Sequence, residues 1–215
     1  MNHQIKSFAL AALVGLTASG AVTAQDNVVK VGAIRYTTHS STTGIVGIGI
    51  PPGAGAETGD ATTLIFVYER TLTPNIGVEL VLGLPPRIKA KATGSVAFLG
   101  DDILTAKNVA PTLLVNYYFG NPGDTWRPYL GAGVNYTRFA SIESTLQTTS
   151  IEMSDSVGLA VQAGINYAAA PNWGLFGSIA RVDVKTDLVA VTSTVLSTTI
   201  DFKPVTFSGG LWYRF

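Results

Sequence analysis

The sequence predicts an all-β protein, an eight-stranded antiparallel transmembrane β-barrel with short periplasmic turns and four long extracellular loops. Three observations predict it. Apolar residues alternate with polar or small ones in segment after segment, the period-2 signature of strands with two unlike faces. Charged residues make up only 13% of the 215 residues, against about 25% in ordinary soluble domains, and mean hydropathy is +0.32. The uncharged stretch 156–180 is broken by Asn166, Pro171 and Asn172, so it does not read as a membrane helix. A bilayer admits only helices and closed barrels, because every backbone polar group there needs an internal partner.

Residues 1–24 read as an export leader, with Lys6 as the positive start, Phe8 to Leu16 as the apolar run and Val22-Thr23-Ala24 as a small-residue cleavage site. The apolar run is well short of the roughly 20 residues of a spanning helix. The predicted organisation is therefore a signal peptide, 1–24, and a single barrel domain, 25–215.

The first strand is placed at Val28 to Thr37. The second, Thr62 to Thr73, sets Leu64, Phe66 and Tyr68 against Thr63, Ile65, Val67 and Glu69, and Thr73-Pro74-Asn75 turns the chain. The third, Ile76 to Leu84, opposes Val78, Leu80 and Leu82 to Glu79, Val81 and Gly83. The fourth, Asn108 to Phe119, opposes Leu113, Val115 and Tyr117 to Leu114, Asn116 and Tyr118; a Gly120-Asn121-Pro122-Gly123-Asp124 turn follows. The fifth is Trp126 to Arg138, with Leu130, Ala132 and Val134 on one side and Gly131, Gly133 and Asn135 on the other. The sixth, Val157 to Tyr167, turns Leu159, Val161 and Ile165 one way and Gln162, Gly164 and Asn166 the other. Ala170-Pro171-Asn172 leads to the seventh, Trp173 to Lys185, and the eighth is Ile200 to Phe215.

Links after the second, fourth and sixth strands are short. Those at 39–61, 85–107, 139–156 and 186–199 are long, the asymmetry of outer-membrane barrels. Tyr117, Tyr118, Phe119, Trp126, Tyr129, Tyr167, Trp173, Trp212, Tyr213 and Phe215 gather at the short-turn ends, as a periplasmic aromatic girdle would. The competing fold is a soluble lipocalin-type barrel, apolar inside and polar outside. It would have to cover its surface with little more than Glu69, Glu79, Asn116, Asn135, Gln162, Asn166 and Arg214.

With 14 basic and 14 acidic residues, the chain lacks the charge bias of a nucleic-acid binder. It has no cysteine and two histidines, His3 and His39, which leaves neither thiol chemistry nor a His-rich metal site. No cofactor and no catalytic set is predicted. His39 near Ser40 and Ser41 lacks an orienting third group, Gly53-Ala54-Gly55 fails the spacing of a phosphate loop and reads as flexible, Asp101-Asp102 reads as a solvated pair, and Asn135-Tyr136-Thr137 is a glycosylation pattern lying inside a strand.

The candidate site is the lumen. Parity points Ile65, Val67, Glu69, Glu79, Val81, Leu114, Asn116, Tyr118, Gln162, Trp212 and Arg214 inward, and Leu211, Tyr213 and Phe215 toward lipid. A buried charge needs a partner, and Lys30 or Arg214 is within reach of Glu69 and Glu79 once the last strand closes on the first. The pair is expected near the periplasmic end, with an apolar lumen above it at Ile65, Val67, Val81 and Leu114.

Several stretches resemble the OmpW family of outer-membrane proteins. They are Thr73-Pro74-Asn75-Ile76-Gly77-Val78-Glu79-Leu80, Pro111-Thr112-Leu113 with Tyr118-Phe119-Gly120, Trp126-Arg127-Pro128-Tyr129-Leu130-Gly131-Ala132-Gly133-Val134-Asn135-Tyr136-Thr137, and Gly210-Leu211-Trp212-Tyr213-Arg214-Phe215. Their order covers nearly all of the chain after the leader. Departures fall at Pro85-Pro86-Arg87-Ile88 and in the glycine-rich stretch 44–59. The resemblance implies location in the outer membrane of a Gram-negative bacterium, a narrow hydrophobic lumen, and passage of small hydrophobic compounds with exit through the barrel or its wall. Outer-membrane lipids, such solutes and the assembly machinery that would read Leu211, Tyr213 and Phe215 are the expected partners; oligomeric state is left open. Two other readings stand beside it: a structural or adhesive barrel with a closed lumen, and a lipid-modifying enzyme.

Overall fold

The computed structural model describes residues 27–37, 40–42, 51–101, 103–144, 150–191 and 195–215. The leader 1–24, His39 and Asp102 lie outside them. In chain order the strands are β1 (Asn27–Thr37), β2 (Ser40–Thr42), β3 (Ala54–Thr58), β4 (Ala61–Thr73), β5 (Ile76–Gly83), β6 (Arg87–Gly94), β7 (Leu104–Val109), β8 (Thr112–Tyr118), β9 (Trp126–Ser144) and β10 (Ser150–Met153). They continue with β11 (Ser156–Ala170), β12 (Trp173–Val182), β13 (Val184–Val191), β14 (Val195–Phe202) and β15 (Val205–Arg214). Among the described residues no helix is long and apolar enough to cross a membrane.

Eight of these strands close a barrel in the order β1-β4-β5-β8-β9-β11-β12-β15, with β15 returning to β1, every pairing antiparallel. Closure leaves no barrel strand with an unpaired edge. Phe215 is zipped to Asn27 by backbone bonds of 2.9 and 3.3 Å. The outer surface is the apolar one: Leu64, Phe66, Leu113, Val115, Leu130, Val134, Leu159, Val161, Phe207 and Leu211 are all exposed, while Ile65, Val67, Leu114 and Ala160 are buried inside. That inversion of the soluble pattern excludes the lipocalin reading. Trp126 and Tyr167 pack at 4.6 Å between ring centroids, tilted by 45°, beside the short turns, whereas Tyr118, Tyr129 and Trp212, expected in the same girdle, are buried inside the barrel because they lie on the inward parity.

The strand ends differ from the sequence expectation: the fifth strand runs on to Ser144 and the sixth to Ala170. The fourth strand is interrupted at Ala110-Pro111, the seventh at Asp183, and the eighth begins at Val205, after Lys203-Pro204. Proline has no N–H to give to a ladder and restricts the residue before it, so the strand assignment breaks at both proline sites. The long connections also hold strands. β6 and β7 form a hairpin that extends the wall beyond the barrel, flanked by β3 and the end of β9. β13 and β14 form a second, flanked by β10 and β2. Residues 54–58, expected to belong to a flexible loop, are therefore a strand, led by Gly53 with φ +82°.

Candidate functional site

Two carboxylates set the middle of the lumen. Glu69 and Glu79 are directly opposite each other across β4 and β5, a like-charge pairing that destabilises a sheet unless a cation intervenes. Lys30 on β1, 1% exposed, intervenes: its Nζ lies 2.9 Å from Glu69 Oε2 and 2.6 Å from Glu79 Oε2. Tyr118 donates its hydroxyl to Glu69 Oε2 at 2.6 Å. Gln162 Nε2 donates to Glu79 Oε1 at 2.9 Å and to Asn116 Oδ1 at 2.8 Å. The Lys30 ammonium also sits 5.2 Å from the Tyr129 ring centre and 5.7 Å from that of Phe176. Side chains from β1, β4, β5, β8, β9, β11 and β12 thus meet in one layer across the barrel. Room for them comes from inward glycines: a Cβ on Gly131 would lie 2.1 Å from Asn116 Oδ1, and one on Gly164 would lie 2.4 Å from the Tyr129 ring. Arg214, the other sequence candidate for the cation, is not in this layer.

Above the layer, toward the long loops, is a cavity of about 100 Å³. Ile34, Ile65, Val67, Val81 and Leu114 form its apolar wall, with Thr112 above Leu114 on β8, and Ser178, Ser208 and Thr206 line the other side. The polar groups of the lining are largely satisfied by one another. Ser178 and Ser208 share a 2.6 Å hydrogen bond, Asn135 Nδ2 donates to Thr112 Oγ1 at 2.8 Å, and Thr137 Oγ1 donates to Asn135 Oδ1 at 2.6 Å. The wall here is discontinuous. The β5–β8 ladder ends at Val81↔Thr112, and pairing resumes only at Arg87↔Lys107 on β6 and β7. Between them lie 82–86 on one side and 108–111 on the other, with Pro85, Pro86 and Pro111 unable to donate. Gly83, Asn108 and Ala110, from both sides of this interruption, border the cavity.

Below the layer is a periplasmic vestibule of about 470 Å³ lined by Thr71, Asp124, Arg127, Asn166, Trp212 and Arg214. Trp212 anchors its wall, donating Nε1 to the carbonyls of Tyr167 at 3.2 Å and Leu175 at 3.1 Å. Arg127 donates to the Pro74 carbonyl at 2.8 Å and lies over Tyr118; Arg214 lies 5.6 Å from the Trp212 ring centre. The charged layer is thus mid-barrel, above this vestibule. The sequence placed it at the periplasmic end because only the proximity of Glu69 and Glu79 to their turn was visible.

The candidate residues therefore fall into four places. Ile65, Val67, Val81 and Leu114 line the upper cavity; Glu69, Glu79, Asn116, Tyr118 and Gln162 form the layer. Trp212 and Arg214 border the vestibule, and Leu211, Tyr213 and Phe215 are on the outer surface. Sequence reasoning did not select Tyr129, Phe176, Arg127 or the Thr112-Asn135-Thr137 network. Parity places Tyr129, Asn135 and Thr137 on the inward face of the fifth strand, but it does not say which inward groups meet. Among the described residues no group of His, Asp and Glu could hold a metal ion.

A closed antiparallel barrel with an apolar belt outside, a polar layer inside and one set of short turns is an integral outer-membrane protein. A model of the OmpW family matches residues 23–215, and the chain belongs to that family. It is 36% identical to outer membrane protein W of Escherichia coli strain K12 over 134 residues, 58% of this chain and 59% of that protein; the chain thus spans less than two thirds of that relative's length. It is 31% identical over 138 residues, 63% of each chain, to the dibenzothiophene metabolism operon protein PahQ of Pseudomonas aeruginosa. Among solved structures, the crystal structure of OprG from Pseudomonas aeruginosa superposes with a TM-score of 0.83 at 24% identity, covering 89% of this chain and 96% of that one. The protein is located in the outer membrane of a Gram-negative bacterium.

Proposed function

We propose that the protein is a passive conduit for small hydrophobic molecules. The observation that carries this reading is the apolar side of the upper cavity, closed below by the Lys30–Glu69–Glu79 layer and bordered by the wall interruption at 82–86 and 108–111. A solute entering among the extracellular strands gains by leaving water, about 25 cal/mol per Å² of apolar surface. It meets a charged floor that an apolar molecule has no reason to cross, and a side exit toward the outward apolar belt. Ions face the opposite balance, since the cavity offers them little to replace their water. Membership of the OmpW family and the likeness to a protein named for a dibenzothiophene metabolism operon support a hydrophobic cargo.

In this reading the lumen binds and releases without bond chemistry, and the protein is not an enzyme. The leader at 1–24 directs export and is removed, and Leu211, Tyr213 and Phe215 present the assembly machinery with an outward apolar strand. The test is accumulation of a labelled apolar aromatic compound by cells that carry the gene and by an isogenic deletion strain. Faster accumulation with the protein is expected; equal rates would defeat the proposal.

A further inference from the structure

One face of the molecule, outside the lumen, carries a concentration of positive charge. β6 reads Arg87-Ile88-Lys89-Ala90-Lys91-Ala92. Ala90 and Ala92 are buried, whereas Arg87, Lys89 and Lys91 are exposed, so three cations at period 2 share the outward face. Arg87 is directly opposite Lys107 of β7, and Arg138 of β9, opposite Val109 two residues from Lys107, is exposed on the same face. Cations directly opposite each other on a ladder repel.

Elsewhere on the barrel Arg35 meets Asp60 at 3.1 Å and Arg181 meets Asp183 at 4.0 Å. On the basic face Lys91 meets Glu57 at 3.3 Å. Arg87, Lys107 and Arg138 make no such pair among the described residues, and the nearby Asp155 carboxylate accepts the Tyr136 hydroxyl at 2.6 Å.

The position of this face relative to the bilayer decides what it can meet. The outward residues directly below it are apolar and exposed: Leu82, Leu113 and Val134. A barrel strand crosses the hydrocarbon core in about 9–11 residues. Counting along β9 from the girdle residue Trp126, that span is used up just before Arg138. Arg87, Lys107 and Arg138 therefore sit where acyl chains give way to headgroups on the side of the long loops.

We propose that Arg87, Lys107 and Arg138 form a binding site for the phosphate groups of a phosphorylated lipid of the outer leaflet, with Lys89 at its margin. Charge-assisted bonds from guanidinium groups to phosphate suit this geometry, and a bound phosphate removes the repulsion between Arg87 and Lys107. The site stands on the outer-membrane location and is independent of what passes through the lumen. It lies directly above the wall interruption, so a lipid held there also borders the proposed side exit.

The test uses the full chain, purified in detergent, with bis-phosphorylated lipid A as probe and its dephosphorylated form as control, read by native mass spectrometry at increasing ionic strength. The wild type is expected to retain lipid A in a salt-sensitive manner. The triple variant Arg87→Gln/Lys107→Gln/Arg138→Gln should lose retention by about tenfold or more, each cation near an anionic lipid surface contributing separately. Arg35→Gln/Arg181→Gln should bind as the wild type does. Heat-dependent gel mobility establishes that each variant is folded, and single substitutions replace the triple variant if it is not. Equal retention of phosphorylated and dephosphorylated lipid, or undiminished retention by the folded variants, would overturn the proposal.

Discussion

Lys30→Met probes the layer at the centre of the lumen. The substitution keeps much of the side-chain volume and removes the only cation between Glu69 and Glu79, which lie 2.9 and 2.6 Å from Nζ. All three residues are almost wholly buried, so bulk water does not take over the role of the ammonium. Breaking a buried ion pair by removing one partner costs about 3–5 kcal/mol, and that is the loss expected here, with two carboxylates left facing each other. The hydrogen bonds from Tyr118 and Gln162 still support the carboxylates, which argues for the lower part of the range. Reversible unfolding in urea, followed by tryptophan fluorescence and heat-dependent gel mobility in the presence of lipid vesicles, measures it. Lys30→Met/Glu69→Gln/Glu79→Gln should recover most of the loss, because no unpaired charge remains. A single variant that loses less than about 1 kcal/mol, the range of an exposed pair, would refute the claim that the layer is an interlocked buried network.

Three other outcomes follow from the same geometry. Leu114→Glu places a charge in the apolar wall of the upper cavity, and uptake of an apolar solute should fall several-fold while the barrel still folds, since an unpaired carboxylate there is costly to desolvate. Gly131→Val should destabilise the barrel by about 1–3 kcal/mol, as overpacking does, because its Cβ has no room beside Asn116; denaturant midpoints report the change. Trp212→Ala should cost about 3–5 kcal/mol, because it removes the ring that donates to the carbonyls of Tyr167 and Leu175; the shift of the urea midpoint measures it.

Much of the fold was legible because a lipid-facing barrel writes its environment into alternate residues. Leu113, Val115 and Tyr117 against Leu114, Asn116 and Tyr118 is readable without a structure, and so is the contrast between short turns and long links. The extracellular hairpins were not legible as strands for a physical reason. Above the membrane the outward face is charged and the inward face holds alanine, as in Lys89-Ala90-Lys91-Ala92, so the apolar alternation that marks a barrel strand is absent. The interruptions at Pro111 and Pro204 were absorbed into longer predicted strands because the residues on both sides of them are equally strand-like.

The inner residues show a similar limit. Parity sorts side chains between two faces, but it does not say which of them meet across the lumen. That Lys30 and not Arg214 reaches Glu69 and Glu79 depends on the register of β1 with β4 and β15, which sets Arg214 lower, against Trp212. Tyr129, the ring near the ammonium on β9 across the barrel, and Phe176, on β12 two strands away past β15, come from distant parts of the chain, and nothing local in their segments singles them out.

The account's central claim is selective passage of apolar molecules through a lumen closed to ions. Its most direct test is the flux of an apolar aromatic compound into proteoliposomes containing the purified full chain, with potassium release recorded from the same vesicles. The account predicts solute flux well above that of protein-free vesicles and potassium release no faster than theirs. Solute flux equal to that of protein-free vesicles, or potassium release rising in step with it, would contradict the account.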